Sequence, residues 1–158
     1  MARSTLPTFP LLVFGIIEPL LLVWAYIIGM GNPHEYLAKQ IPGGSPSTTS
    51  FSPQAEGVTL QLINVFLLLA PMAVICCFSS DPATVKGYLF AVALADYGHM
   101  YATYRAVGEE VFFNTSLWND MVWGGVAVNA TLNVLRWLTL FGAFGRIAPA
   151  AGKAKKRL

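Results

Sequence analysis

Asp96 and His99 stand three residues apart in the segment TVKGYLFAVALADYGHMYATY. On a helix, positions i and i+3 share a face. The carboxylate can then orient the imidazole or share its proton. Such a pair in an apolar, wetted cavity is equipped to donate or accept a proton. Glu18, in FPLLVFGIIEPLLLVW, is a second acid in an equally apolar setting. Arg136, in NATLNVLRWLTLF, supplies one cation. Asn129, Asn133 and Arg136 recur at i, i+4 and i+7 and fall on one helical face, which Val122 and Gly125 continue. Asn64, Asn129 and Asn133 offer amides that could orient a substrate or water, and the π face of Trp123 could stabilise a carbocation. Read for chemistry, Asp96 and His99 form an acid/base pair, Glu18 is a second acid, and Arg136 is a charge at a pocket floor. Read for structure, the same residues form a Glu18–Arg136 salt bridge that fixes helix register and an Asp96–His99 hydrogen-bond network between helices.

The composition says what kind of element must position these groups. Of 158 residues, 55% are AVILMFWYC and only 11% are DEKR, whereas a soluble domain carries about 25% charged residues. The mean hydropathy is +0.56. Such a chain cannot cover a water-facing surface, which argues against a soluble globular enzyme. At roughly 20 apolar residues per crossing, the length suits four membrane spans: residues 10–30, 58–78, 84–104 and 118–144. The runs are long and do not alternate, so helices are expected over strands. The expected fold is a single all-α domain, residues 1–158, a four-helix transmembrane bundle. The first run could be taken for a signal peptide, but its length and its central Glu18-Pro19 favour a retained helix. Pro19 and Pro71 each remove a backbone donor and should kink their helices.

Residues 31–57 form a Pro-, Gly- and Ser-rich loop in which residues 34–40 could make a short helix. The link SSDPA between the second and third spans is tight. Four spans place both termini on one side. That side carries Arg3, Lys86, Arg146, Lys153, Lys155, Lys156 and Arg157, against Lys39 and Arg105 on the other. Positive residues mark the cytosol, so both termini and the basic tail, residues 145–158, are predicted cytosolic. Asn114-Thr115-Ser116 is then a lumenal glycosylation sequon, and Lys155 and Lys156 resemble a dilysine retrieval signal to the endoplasmic reticulum. In this frame Glu18 and Arg136 each lie eight residues from the cytosolic end of their spans, about 12 Å deep. Asp96 and His99 lie in the lumenal half, with Asn64 and Trp123 at similar depth. Two separate polar layers are predicted.

Cys76 and Cys77 are adjacent and form no disulfide framework. No Cys/His metal spacing, phosphate loop or basic–aromatic nucleic-acid surface is present in the sequence, so neither metal, cofactor nor nucleic acid is expected.

The segments LPTFPLLVFGIIEPL, ADYGHMYATY and LWNDMVWGGVAVNATLNVLRWLTLFG resemble a family of small fungal integral membrane proteins. The resemblance covers nearly the whole chain. It implies four spans and singles out Glu18-Pro19, Asp96, Gly98-His99, Trp118-Asn119 and Trp123-Gly124, and it names no reaction. A looser, architectural resemblance is to the emopamil-binding and sigma-2 receptor superfamily, whose sterol-sized cavities carry buried acids. Fungal integral-membrane terpene cyclases are a second analogy.

Three functions compete, and the paired intramembrane acids and His99 tilt the reading towards the first, an enzyme. An isomerase or cyclase would act on an isoprenoid or sterol-like lipid by proton transfer. A non-catalytic lipid-binding or scaffold protein needs only the structural readings. A single Glu in the first of four spans also resembles small dimeric proton-coupled transporters. The expected partners are the bilayer, an apolar ligand, and either a second copy or another membrane enzyme.

Overall fold

The protein is described by a computed structural model over residues 4–148. Every regular element among these residues is a helix. The first, α1 (Thr8–Gly31), contains a π turn at Val13–Ile17. Helix α2 (Pro33–Ala38) is a single short piece capped by Asn32, whose side chain accepts from the Glu35 amide at 3.1 Å. Helix α3 (Pro53–Cys77) starts behind Ser52, which accepts from the Ala55 amide. Helix α4 (Pro82–Val107) starts behind Asp81, which accepts from the amides of Ala83 and Thr84. Both starts combine a polar cap with proline at the first helical position, where its missing N–H costs nothing. Hydrogen bonds from Thr84 and from backbone amides hold the Asp81 carboxyl below its ordinary range.

After Gly108 come α5 (Glu109–Phe113) and a 3-10 turn at Thr115–Leu117. The last helix, α6 (residues 120–140), is built from Asp120–Val122, a second π turn at Trp123–Val128, and Asn129–Leu140. It ends before residue 144, the expected limit. Gly142 adopts φ 83°, its amide donates to the Thr139 carbonyl, and the Ala143 amide donates to that of Leu138. This paired closure needs a left-handed residue that glycine alone adopts without strain.

Thr8–Gly31 and Pro53–Cys77 are long and apolar enough to cross a membrane, each with a mean hydropathy of 2.3. At 1.5 Å per residue, their 24 and 25 residues run about 36 Å, past the hydrocarbon thickness near 30 Å. Helices α4 and α6 are not among these: α4 carries Lys86, Asp96, His99 and Arg105, and α6 carries Asp120, Asn129, Asn133 and Arg136.

Helix α1 packs chiefly on α3, and α4 on α6. In the first pair Gly29 lets the backbones close: a β-carbon there would sit 2.9 Å from Ile63, a fully buried side chain. The two pairs share a core at one end, formed by Leu6, Val13, Phe14, Cys77, Val85, Leu89 and Ile147. Here the two ends of the described chain meet the α3–α4 link. Ser4 Oγ donates to the Cys77 carbonyl, the Thr5 amide to that of Ser79, and the Ala148 amide to that of Thr5. Away from this core the outward faces are apolar and exposed, as at Leu20, Trp24, Ile27, Leu68 and Ile75.

Candidate functional site

Arg136, only 1% exposed, is the centre of the buried polar cluster. Its guanidinium is a fork of donors in fixed geometry, and the two prongs part. Nη1 donates to Asp96 Oδ2 at 2.5 Å, and Nη2 donates to Glu18 Oε1. One side chain of α6 therefore holds α4 and α1 together. The guanidinium carbon also lies 5.2 Å from the centroid of the Phe14 ring, and both side chains are buried, which strengthens a cation–π contact. Glu18 and Asp96 are 7% and 6% exposed.

The asparagines of α6 complete the seam. Asn133 Nδ2 donates to the Ala93 carbonyl at 2.7 Å and to Asp96 Oδ2 at 3.3 Å. Asn129 Nδ2 donates to the Asp96 carbonyl at 3.1 Å. The face of Asn129, Asn133 and Arg136 is thus bonded to α4 along its length. Two polar atoms in the cluster, Glu18 Oε2 and Arg136 Nε, are buried without a hydrogen-bond partner among the described residues.

The π turns aim these groups. In α1 the Glu18 amide donates five residues back, to Val13, and Pro19 has no amide to give. The helix takes up this break as a wide turn immediately before the acid. Phe14 and Glu18, four residues apart, then both face Arg136. In α6 the turn at Trp123–Val128 directly precedes Asn129. Such turns are rare and recur where a helix is locally re-aimed, often at functional sites.

The predicted separation into two layers is not what forms. Arg136 engages the acids of both layers, because a long, forked side chain spans the distance that depth counting assigned to two sites. Asp96 and His99 share a face but no hydrogen bond joins them among the described residues. Asp96 Oδ2 is already taken by Arg136 and Asn133. His99 is exposed, and its Nε2 lies 3.4 Å from where a β-carbon on Gly125 would sit, with Thr103 Oγ1 at 3.5 Å from the same point. Asn64 is not brought to the cluster. It sits on the exposed outer side of α3, since the inner face is Thr59, Ile63, Ala70, Ala73 and Cys77. Trp123 is 47% exposed and meets Trp118 edge to face at 5.0 Å between centroids. It does not face the charged cluster. Asn114 is exposed and accepts from the amide and hydroxyl of Ser116, at 3.2 and 2.6 Å. Lys155 and Lys156 lie outside the described residues.

Among the described residues no group of three or more His, Cys, Asp or Glu side chains could hold a metal ion. A shallow recess of about 310 Å³ on α6, lined by Ala130, Thr131, Val134 and Leu135, is apolar and lies apart from the cluster.

Residues 3–146 match the family model described as a domain of unknown function, DUF7704. The chain belongs to this family. No curated protein and no solved structure matches it. Within the DUF7704 domain, the residues that hydropathy and helical spacing did not single out are Phe14 and Ala93, the first through its ring and the second through its carbonyl. The only signal for Phe14 was its place one helical turn before Glu18.

Proposed function

We propose that the protein is a non-catalytic lipid-binding or scaffold protein of the membrane, built as a four-span bundle with both termini cytosolic. The observation that carries this reading is the forked Arg136. It uses the intramembrane charges to join α1, α4 and α6, and Asp96 is committed to a guanidinium and an amide. Buried ion pairs are costly and are kept where they specify an arrangement of helices. The orientation is supported by seven positive residues against two, and by the meeting of both described chain ends with the α3–α4 link. Residence in the endoplasmic reticulum rests on Lys155 and Lys156 alone. The likeness to small fungal four-span proteins fits the span number, and that to the emopamil-binding superfamily fits a sterol-sized apolar ligand.

One observation favours a second reading, an acid/base isomerase or cyclase acting on an isoprenoid or sterol-like lipid. Glu18 Oε2 is a buried carboxylate oxygen with no hydrogen-bond partner among the described residues, and such an atom is placed to carry a proton. Photoreactive sterol and farnesyl probes, presented in nanodiscs made up in deuterated water, separate the two. The binding reading expects a probe to be captured and recovered without deuterium. Deuterium in the recovered probe that is lost in Asp96→Asn or Glu18→Gln would overturn it in favour of the enzyme.

A further inference from the structure

The outer face of α3 carries a polar feature that the charged cluster does not use. Gln61 and Asn64 are both exposed and have no hydrogen-bond partner within the described residues. They lie eight and eleven residues after Pro53 in a helix of 25 residues, about 12 and 17 Å along its axis. Measured from Val58, where the apolar run begins, Gln61 lies about 4–5 Å and Asn64 about 9 Å inside a crossing helix. An amide at the depth of Asn64 has no bulk water beside it, and leaving it unpaired in hydrocarbon is unfavourable.

The spacing around these amides forms a seam. Gln61, Asn64, Leu68, Pro71 and Ile75 follow one another at alternating steps of three and four, the repeat by which one helix packs along another. All five are exposed, Leu68 at 60% and Ile75 at 65%. The inner face, Thr59, Ile63, Ala70, Ala73 and Cys77, is already occupied within the chain and lies on the opposite side of the helix. The outer seam is a second, unpartnered packing face on the same element.

We propose that this seam docks a second copy of the chain, giving a symmetric pair of parallel α3 helices joined through Gln61 and Asn64. The chemistry of the amide selects that occupant. Each carries an NH2 donor and a carbonyl acceptor, so the same residue on a two-fold-related copy supplies what the first lacks. In a two-fold interface, residue i meets j and j meets i, and every donor placed on one copy is matched by an acceptor on the other. Amides of this kind join helices within membranes. The inference rests on α3 crossing the membrane and is independent of whether the protein performs chemistry.

The test is dimerisation of the full chain in lipid vesicles, read by energy transfer between labelled copies across a range of protein-to-lipid ratios. A reversible dimer is expected, with a dissociation constant raised about tenfold or more in Gln61→Leu/Asn64→Leu. Both replacements suit a lipid-facing position, so the fold is retained. In chains with Cys76 and Cys77 replaced by alanine, Leu68→Cys should cross-link between copies under oxidation and Val134→Cys, on α6, should not. A monomer at every ratio would overturn the proposal. So would a dimer that is indifferent to the double leucine variant, or one that cross-links through Val134→Cys and not through Leu68→Cys. Probe capture by the monomer would remain readable in each case.

Discussion

Replacing Arg136 by methionine tests whether the forked guanidinium assembles the bundle. Methionine keeps an unbranched apolar stem like that of arginine but ends short of the guanidinium, so both charged prongs are gone. It leaves Glu18 and Asp96, each under one-tenth exposed, without their cation. Removing one partner of a buried ion pair costs about 3–5 kcal/mol, and here one removal orphans two acids. A tenfold change in an equilibrium corresponds to about 1.4 kcal/mol, so the folded-to-unfolded ratio should fall by at least about a hundredfold. Against a total stability of about 5–15 kcal/mol, this is a large share. The structure also predicts the rescue. In Arg136→Met/Glu18→Gln/Asp96→Asn the orphaned charges are gone, and most of the lost stability should return. Reversible unfolding in bicelles, followed by circular dichroism, gives the three values. Hydrogen exchange should locate the loosening of the single variant in α1 and α4. An Arg136→Met protein as stable as the parent would refute the reasoning. A triple variant no more stable than the single one would refute it as well, because the damage would then not come from unpaired charge.

Two further outcomes follow from local geometry. Gly29→Ala should destabilise the α1–α3 pair by about 1–3 kcal/mol, seen as a lower unfolding midpoint, because its β-carbon would meet the buried Ile63 at 2.9 Å; an unchanged midpoint would show that the helices separate freely there. At the start of α4, hydrogen bonds from Thr84 and the backbone hold the Asp81 carboxyl below its ordinary value of 3.8. A lowered folded-state value means that the cap stabilises above 3.8 and is lost as pH falls through the lowered value. Amide exchange at Ala83 and Thr84, corrected for intrinsic rates, should therefore accelerate at low pH in the parent and be fast at all pH in Asp81→Ala. Matching profiles would exclude the cap as the cause.

Much of the helical architecture is written locally. Ser52-Pro53 and Asp81-Pro82 are local start signals, a polar oxygen beside a proline that settles the free amides of the first turn; hydropathy passed over them and began the two helices at residues 58 and 84, whereas the structure begins them at Pro53 and Pro82. The short helix expected within residues 34–40 is Pro33–Ala38, behind the cap of Asn32. The seam on α6 is equally local, since Asn129, Asn133 and Arg136 share a face by spacing alone. The two-layer arrangement failed for a different reason. Counting residues from the ends of a span gives the depth of a backbone atom, whereas the guanidinium of Arg136 acts at the far end of a long side chain. The π turns were also not legible: Pro19 announces a broken hydrogen bond but not whether the helix kinks or widens to absorb it.

What the amino-acid sequence determined on its own is that the chain is helical and strongly apolar, and which few polar residues must be accommodated within it. Those properties depend on residue type and on neighbours within a turn or two. The tertiary structure alone decided which of these residues meet. Whether Asn64 faces the cluster or the outside depends on the rotational phase of α3 against α1 and α4. Whether Asp96 bonds His99 or Arg136 depends on how closely α4 and α6 approach. Phase and approach are set by packing at Gly29 and Ile63, and at Gly125 against His99 and Thr103. They are shifted again by each π turn, which adds a residue to the turn and rotates everything that follows.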